Sequence, residues 1–290
     1  MKKGMKKLLT VAFVGLLAVG IVGCGGASNE GTNNEQKPNQ QTGQGEQLSG
    51  SITLVGSDSM QNVVGLLAEK FEEKNPEVKI EVQGGGSGAS FEPVRTGVAQ
   101  LGLVSRKLKD EEKDVTALEI AKDGIAIVVN KNNPVGDLTK EQIAKIYAGE
   151  ITNWKELGGA DKKINVIARE AGSGTTGAFE DIIMKKSDKE IAASVQRINQ
   201  SEGIRATVAK SEEAIGFFSL YLADDSVKAL KVEGVDATEE NVKNGTYPVS
   251  RPFNYTYKTA PEGLAKAFVD FTLSDEGQAI VKEEGLISTK

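Results

Sequence analysis

Beyond residue 47 the sequence alternates repeatedly between short runs rich in branched aliphatic residues and longer stretches whose apolar residues recur at helical spacing. This alternation constrains the fold most, because the strand period of two and the helical period of about 3.6 direct apolar side chains to different faces. Ser51-Ile52-Thr53-Leu54-Val55 reads as a buried strand ending in a Gly-Ser turn. Residues 60–75 read as a helix with Val63, Val64, Leu67 and Phe71 on one face, stopped before Pro76. Residues 78–82 alternate as the next strand, and 101–104, 124–130 and 164–168 read as further buried strands. Residues 139–147, 176–184, 202–210 and 261–273 carry helical signals. Such a succession predicts an α/β fold with mostly parallel sheets flanked by helices. There is no internal repeat.

The 290 residues are 39% hydrophobic and 26% charged, enough apolar material for one sizeable core or two modest domains. The N-terminal part stands apart. Lys2, Lys3, Lys6 and Lys7 precede an apolar run over residues 8–22, and Gly23-Cys24-Gly25 follows. A basic start, a short apolar run and small residues at its end make a secretory leader over residues 1–23, with a run too short for an ordinary spanning helix. Ile21-Val22-Gly23-Cys24 resembles a lipobox, although Ile21 stands where Leu is commoner. Cys24 is then the lipidated first residue of the mature chain, which anchors it to the outer face of a membrane. The stretch from Cys24 to Gln47 has no branched aliphatic or aromatic residue and reads as a flexible tether.

The chain contains no histidine, and Cys24 is its one cysteine. Histidine-activated nucleophiles, His or Cys zinc sites and disulfides are thereby excluded. No cluster of carboxylates has metal-ligand spacing, and no cofactor is expected. The net charge of -6 argues against a broad nucleic-acid footprint, which needs a clustered basic surface. An anion bound here must be held by local groups.

Four segments place glycine and small hydroxyl residues directly after a strand signal: Gly56-Ser57-Asp58-Ser59, Gly84-Gly85-Gly86-Ser87-Gly88, Val104-Ser105-Arg106 and the run from Arg169 through Gly172-Ser173-Gly174-Thr175-Thr176. Backbone N–H groups at a helix start, with the positive end of its dipole, suit an anion, and α/β sheets bind ligands at the carboxyl ends of strands. The same residues are also ordinary N-caps and turn formers, so each loop alone carries both readings. The P-loop order is absent, and the spacing of residues 84–88 does not fit a dinucleotide fingerprint.

Together these segments resemble the phosphate-binding receptors of phosphate-specific ABC importers, a lipoprotein form of the type II periplasmic-binding-protein superfamily found in Gram-positive bacteria. The similarity runs from about residue 50 to the C-terminus and includes Ile146-Tyr147-Ala148-Gly149-Glu150-Ile151-Thr152-Asn153-Trp154. It implies a two-lobed α/β fold with inorganic phosphate held in the cleft and handed to the importer's permease subunits. It further implies phosphate contacts from Asp58, Ser59, Ser87, Ser105, Arg106, Arg169, Ser173, Gly174 and Thr175. One lobe is expected over residues 48–124 plus 253–290 and the other over 125–252, hinged at residues 125–130 and 247–255. A monomer is the default expectation.

Many family members have an aspartate where this chain has Arg106, and a threonine where it has Asp58. The two changes suggest an exchange in which Asp58 accepts the proton of hydrogen phosphate and Arg106 neutralises the dianion or pairs with Asp58. A plain helix-capping role for Asp58 stays open. Arg95, Arg205 and Arg251 lack motif support and read as surface or structural residues, and Tyr147 and Trp154 as core packing. Rival readings are the same fold binding sulfate, molybdate or tungstate, a surface adhesin, and a phosphoester hydrolase with Ser173 or Ser59 as nucleophile. The hydrolase lacks a base beside either serine.

Overall fold

The computed structural model describes residues 47–290. The leader, Cys24 and nearly all of the tether lie outside the described residues. The first elements are β1 (Gly50–Gly56), α1 (Asp58–Lys74), β2 (Val78–Gln83), α2 (Phe91–Thr96), β3 (Leu101–Val104) and β4 (Thr116–Val129). The middle of the chain forms β5 (Asp137–Leu138), α3 (Lys140–Tyr147), β6 (Asn165–Arg169), α4 (Gly174–Phe179), β7 (Gln196–Ile198), α5 (Ser201–Lys210) and β8 (Ala214–Ser219). There follow β9 (Lys228–Ala229), β10 (Lys231–Val232), α6 (Glu239–Lys243), β11 (Ser250–Tyr257), α7 (Gly263–Thr272), α8 (Asp275–Glu283) and β12 (Ile287–Ser288).

The main sheet runs β2-β1-β3-β11-β4-β8-β6-β7. β1 pairs in parallel with β2 and β3, and β6 pairs in parallel with β8 and β7, as strand–helix alternation requires. Between these halves the chain crosses on β4 and returns on β11, and the two long strands pair antiparallel.

Two apolar centres flank this crossing. One gathers Leu54, Val64, Leu67 and Phe71 with Phe253 and Phe268 from the C-terminal part of the chain. The other gathers Tyr147, Trp154, Phe179, Phe217 and Tyr247, with the Phe179 and Phe217 rings stacked at 4.0 Å. β4 serves both: Ile120 and Ala121 belong to the first, and Ile125, Ile127 and Val129 to the second. Ala126 and Val128 point to the opposite face, against Ile204, Val208 and Phe218, as a period of two dictates. Buried on both faces, β8 is a run of apolar residues without alternation, which periodicity alone does not separate from helix.

Candidate oxyanion site

Four loops meet where the two halves of the sheet face each other. β1 ends at Gly56 with φ +143°, and a Cβ there would collide with the Leu103 backbone, so only glycine brings the next residues beside β3. Ser57 then occupies the N-cap position of α1 without capping it. Its hydroxyl turns inward, donating to Ser105 Oγ at 2.7 Å and lying 3.0 Å from Ser59 Oγ. Ser59 Oγ donates to Ser105 Oγ at 3.3 Å, and Ser87 Oγ accepts from Ser105 N at 3.1 Å. All four serines are at most 2% exposed.

The second half supplies the strand end at Arg169 and the start of α4. Here the capping reading holds, because Ser173 Oγ accepts from the N–H groups of Thr175 and Thr176 at 3.1 and 3.4 Å. A Cβ on Gly174 would run into Ser87 Oγ and Ser105 Oγ, so glycine permits the helix start to touch the serine cluster. Gly88 N donates across the seam to Gly172 O at 3.1 Å.

Two guanidinium groups enter this cluster. Arg169, 2% exposed, pairs with Asp58 at 2.7 Å across the seam and donates to Ser201 Oγ at 3.2 Å. Asp58 also accepts from Gly85 N at 3.0 Å. Arg251 sits directly opposite Asp123 in the β11–β4 register and pairs with it at 2.9 Å. It donates to Thr175 Oγ1 at 2.7 Å, to Ser105 Oγ and Ser59 Oγ at 3.2 Å each, and to Ser105 O at 3.3 Å. Burial pushes the Asp123 carboxyl above the usual carboxylate range, while the Arg251 charge and the Ser219 hydroxyl pull against it. Arg169 Nε and Thr176 Oγ1 are buried with no partner among the described residues. Buried polar atoms are rarely left so, and both lie in the segment from Arg169 to Thr176 that borders the site.

The expectation for Arg106 requires correction. It pairs neither with Asp58 nor with any hydroxyl of the cluster; its guanidinium is forked onto Glu112 at 2.6 and 2.7 Å and donates to Lys107 O at 2.9 Å. Ser105 and Arg106 lie in a bend just beyond β3, and the Glu112 carboxylate, held by Lys109 N at 2.8 Å, takes up the guanidinium in place of the serine cluster. Burial works to raise the Glu112 carboxyl, but the bonds from Arg106 and Lys109 N hold it below its ordinary value. Tyr147 and Trp154 are core residues, with Tyr147 Oη donating to Ile167 O and Trp154 Nε1 to Glu213 O.

The arrangement offers several hydroxyls and two arginines converging on one small volume, each arginine neutralised by a carboxylate. Such donors match the oxygens of a tetrahedral oxyanion. A model of the PBP superfamily domain matches residues 37–276. Over 288 residues, covering 97% of this chain and 92% of the relative, the sequence is 37% identical to the phosphate-binding protein PstS of Bacillus subtilis. The chain belongs to the PstS family.

Solved structures place this PstS family member in the same two-lobed fold. A phosphate ABC transporter substrate-binding protein with bound phosphate, from Clostridium perfringens, is 48% identical with a TM-score of 0.79, covering 83% of this chain and all (100%) of that one. An ABC-type phosphate transport receptor from Vibrio cholerae is 38% identical with a TM-score of 0.72, covering 82% and 100%. Against the PstS motifs, two residues of the cluster escape sequence reading. Ser57 lies inside the loop after β1 but looks like a cap, and Arg251 lies in no loop at all; its signal is its cross-strand place opposite Asp123. Among the described residues no group of three or more His, Cys, Asp or Glu could hold a metal ion, and no helix is long and apolar enough to cross a membrane.

Proposed function

We propose that the chain captures inorganic phosphate between its two lobes and delivers it to an ABC-type importer, binding it without turnover. The observation that carries this reading is the convergence of Ser57, Ser59, Ser87 and Ser105 from one side of the seam with Thr175 and Arg169 from the other, joined by Arg251. On binding, the hydroxyls and guanidinium groups exchange their mutual hydrogen bonds for bonds to phosphate oxygens. A dianion that gives up its hydration shell needs many donors at once, which neither side supplies alone. Gly174 allows close backbone approach, and Ser173 shapes the turn that presents it. Asp58 still has acceptor capacity beyond its bonds to Arg169 and Gly85 N, and accepts a hydrogen bond from the protonated oxygen of hydrogen phosphate. Sulfate, which has no proton at neutral pH, meets a carboxylate lone pair instead.

The lobes span residues 48–124 plus 253–290 and residues 125–252, and hinge on β4 and β11. Support comes from the two apolar centres and from the sharing of β4 between them. Cys24 carries the lipid that holds a monomer at the outer face of the membrane, with residues 25–47 as its tether; the support is the sequence pattern alone.

Calorimetric titration with phosphate, sulfate and molybdate, after carried-over anion is removed by partial unfolding and dialysis, tests the assignment. One-to-one heat with phosphate and none with sulfate is expected. Silence towards phosphate with a response to another oxyanion would retain the fold and overturn the ligand.

A further inference from the structure

The seam between the lobes carries one contact that phosphate capture does not itself use. Gly177 is buried within α4, and a Cβ on it would stand 2.7 Å from Arg106 Cδ and 3.0 Å from Arg106 Nε. The arginine has little room to give way. Both of its terminal nitrogens are bound to Glu112, its guanidinium lies 5.7 Å from the centre of the Phe91 ring, and its carbonyl accepts from Asn254 Nδ2 at 3.1 Å. Glu112 is held in turn by Lys109 N at 2.8 Å. A fixed block of one lobe thus meets bare backbone of the other.

Gly177 shares a helix with Gly174 and Thr175, which touch the serine cluster and Arg251. A helical turn is stiff, so the separation set at Gly177 fixes how closely those residues approach Ser59, Ser87 and Ser105. We propose that Arg106, seated on Gly177, is a positioning residue: it gauges how far the lobes close, and so sets the size of the tetrahedral oxyanion that the site accepts. Its charge plays no part in this, being spent on Glu112. The inference rests on the phosphate-receptor reading.

The test compares Gly177→Ala with the parent in the purified full-length protein, by calorimetric titration with phosphate and with the larger molybdate. An added methyl at a packed contact costs about ten- to a hundredfold in an equilibrium constant. Phosphate affinity is expected to fall by that factor, molybdate affinity by less, and the melting temperature without anion to stay near that of the parent. The same glycine change is then made in an Arg106→Ala, Glu112→Gln background, where the arginine is gone without leaving a buried carboxylate unpaired. There it should alter phosphate affinity less than about twofold, because the space for the methyl has been opened. Unchanged affinity and anion preference in Gly177→Ala, or an equal loss in both backgrounds, overturns the gauge and leaves the receptor reading intact. A parent protein that takes no phosphate overturns both.

Discussion

The two arginine–carboxylate pairs of the site use the same chemistry in opposite settings. Arg251 and Asp123 face each other on adjacent strands, and both side chains are 1% exposed. Arg169 and Asp58 come from opposite sides of the seam, and the Asp58 side chain keeps 20% of its surface. The first pair is built into the crossing strands and persists as long as the sheet does. The second exists only while the halves touch. A carboxylate that must stay buried serves to position an arginine, whereas one at a seam can be exchanged for a ligand. The difference separates a structural role from a binding role for groups that look alike in a list of ion pairs.

The largest expected effect follows from breaking the buried pair. Asp123→Asn leaves the Arg251 charge without its counter-ion, and chemical denaturation should reveal a loss of about 3–5 kcal/mol. A loss below about 1 kcal/mol would mean that the pair is less isolated from water than its burial implies.

Arg169→Met acts in the other direction. It should leave stability almost unchanged, because Asp58 can return to water, yet lower phosphate affinity by about 2–5 kcal/mol in a titration. Equal losses of stability and affinity would erase the distinction between the pairs. Asp58→Asn should be milder, weakening the preference for phosphate over sulfate by about 1–3 kcal/mol while phosphate still binds. Unchanged preference would remove Asp58 as the acceptor of the phosphate proton.

The smallest effect belongs to a third pair, at the surface. Arg95, assisted by Lys258, holds the Asp114 carboxyl at about 2, below its ordinary 3.8. A depressed carboxyl contributes stability above the unfolded value and loses it as pH falls towards the folded one. Asp114→Asn should therefore lower the melting temperature slightly at pH 7, by roughly the small amount typical of exposed pairs, and the difference from the parent should fade as pH falls from about 4 to 2.

Much of this was legible in the sequence. The strand–helix alternation announced the parallel ladders, and glycine followed by hydroxyl residues marked the loops. Sequence patterns record local geometry, so the loops were visible where the backbone itself demands glycine, as at Gly56 and Gly174. They do not record partners far along the chain. Asp123 and Arg251 lie 128 positions apart and meet only through strand register. Arg106 was misread for the converse reason: it adjoins Ser105 in sequence, but its guanidinium is taken up by Glu112. Ser57 and Ser173 are indistinguishable as N-cap residues in sequence, and only the fold reveals that one caps its helix and the other faces the cluster.

The central claim is that one phosphate is held from both sides of the seam by this donor cluster. A crystal structure of the protein grown with phosphate tests it most directly. The account predicts a tetrahedral anion bonded to Ser59, Ser105 and Thr175, within hydrogen-bonding reach of Arg169 and Arg251, with Arg106 still paired to Glu112. An anion bound elsewhere, or one touching residues of a single lobe in an otherwise closed protein, would contradict it.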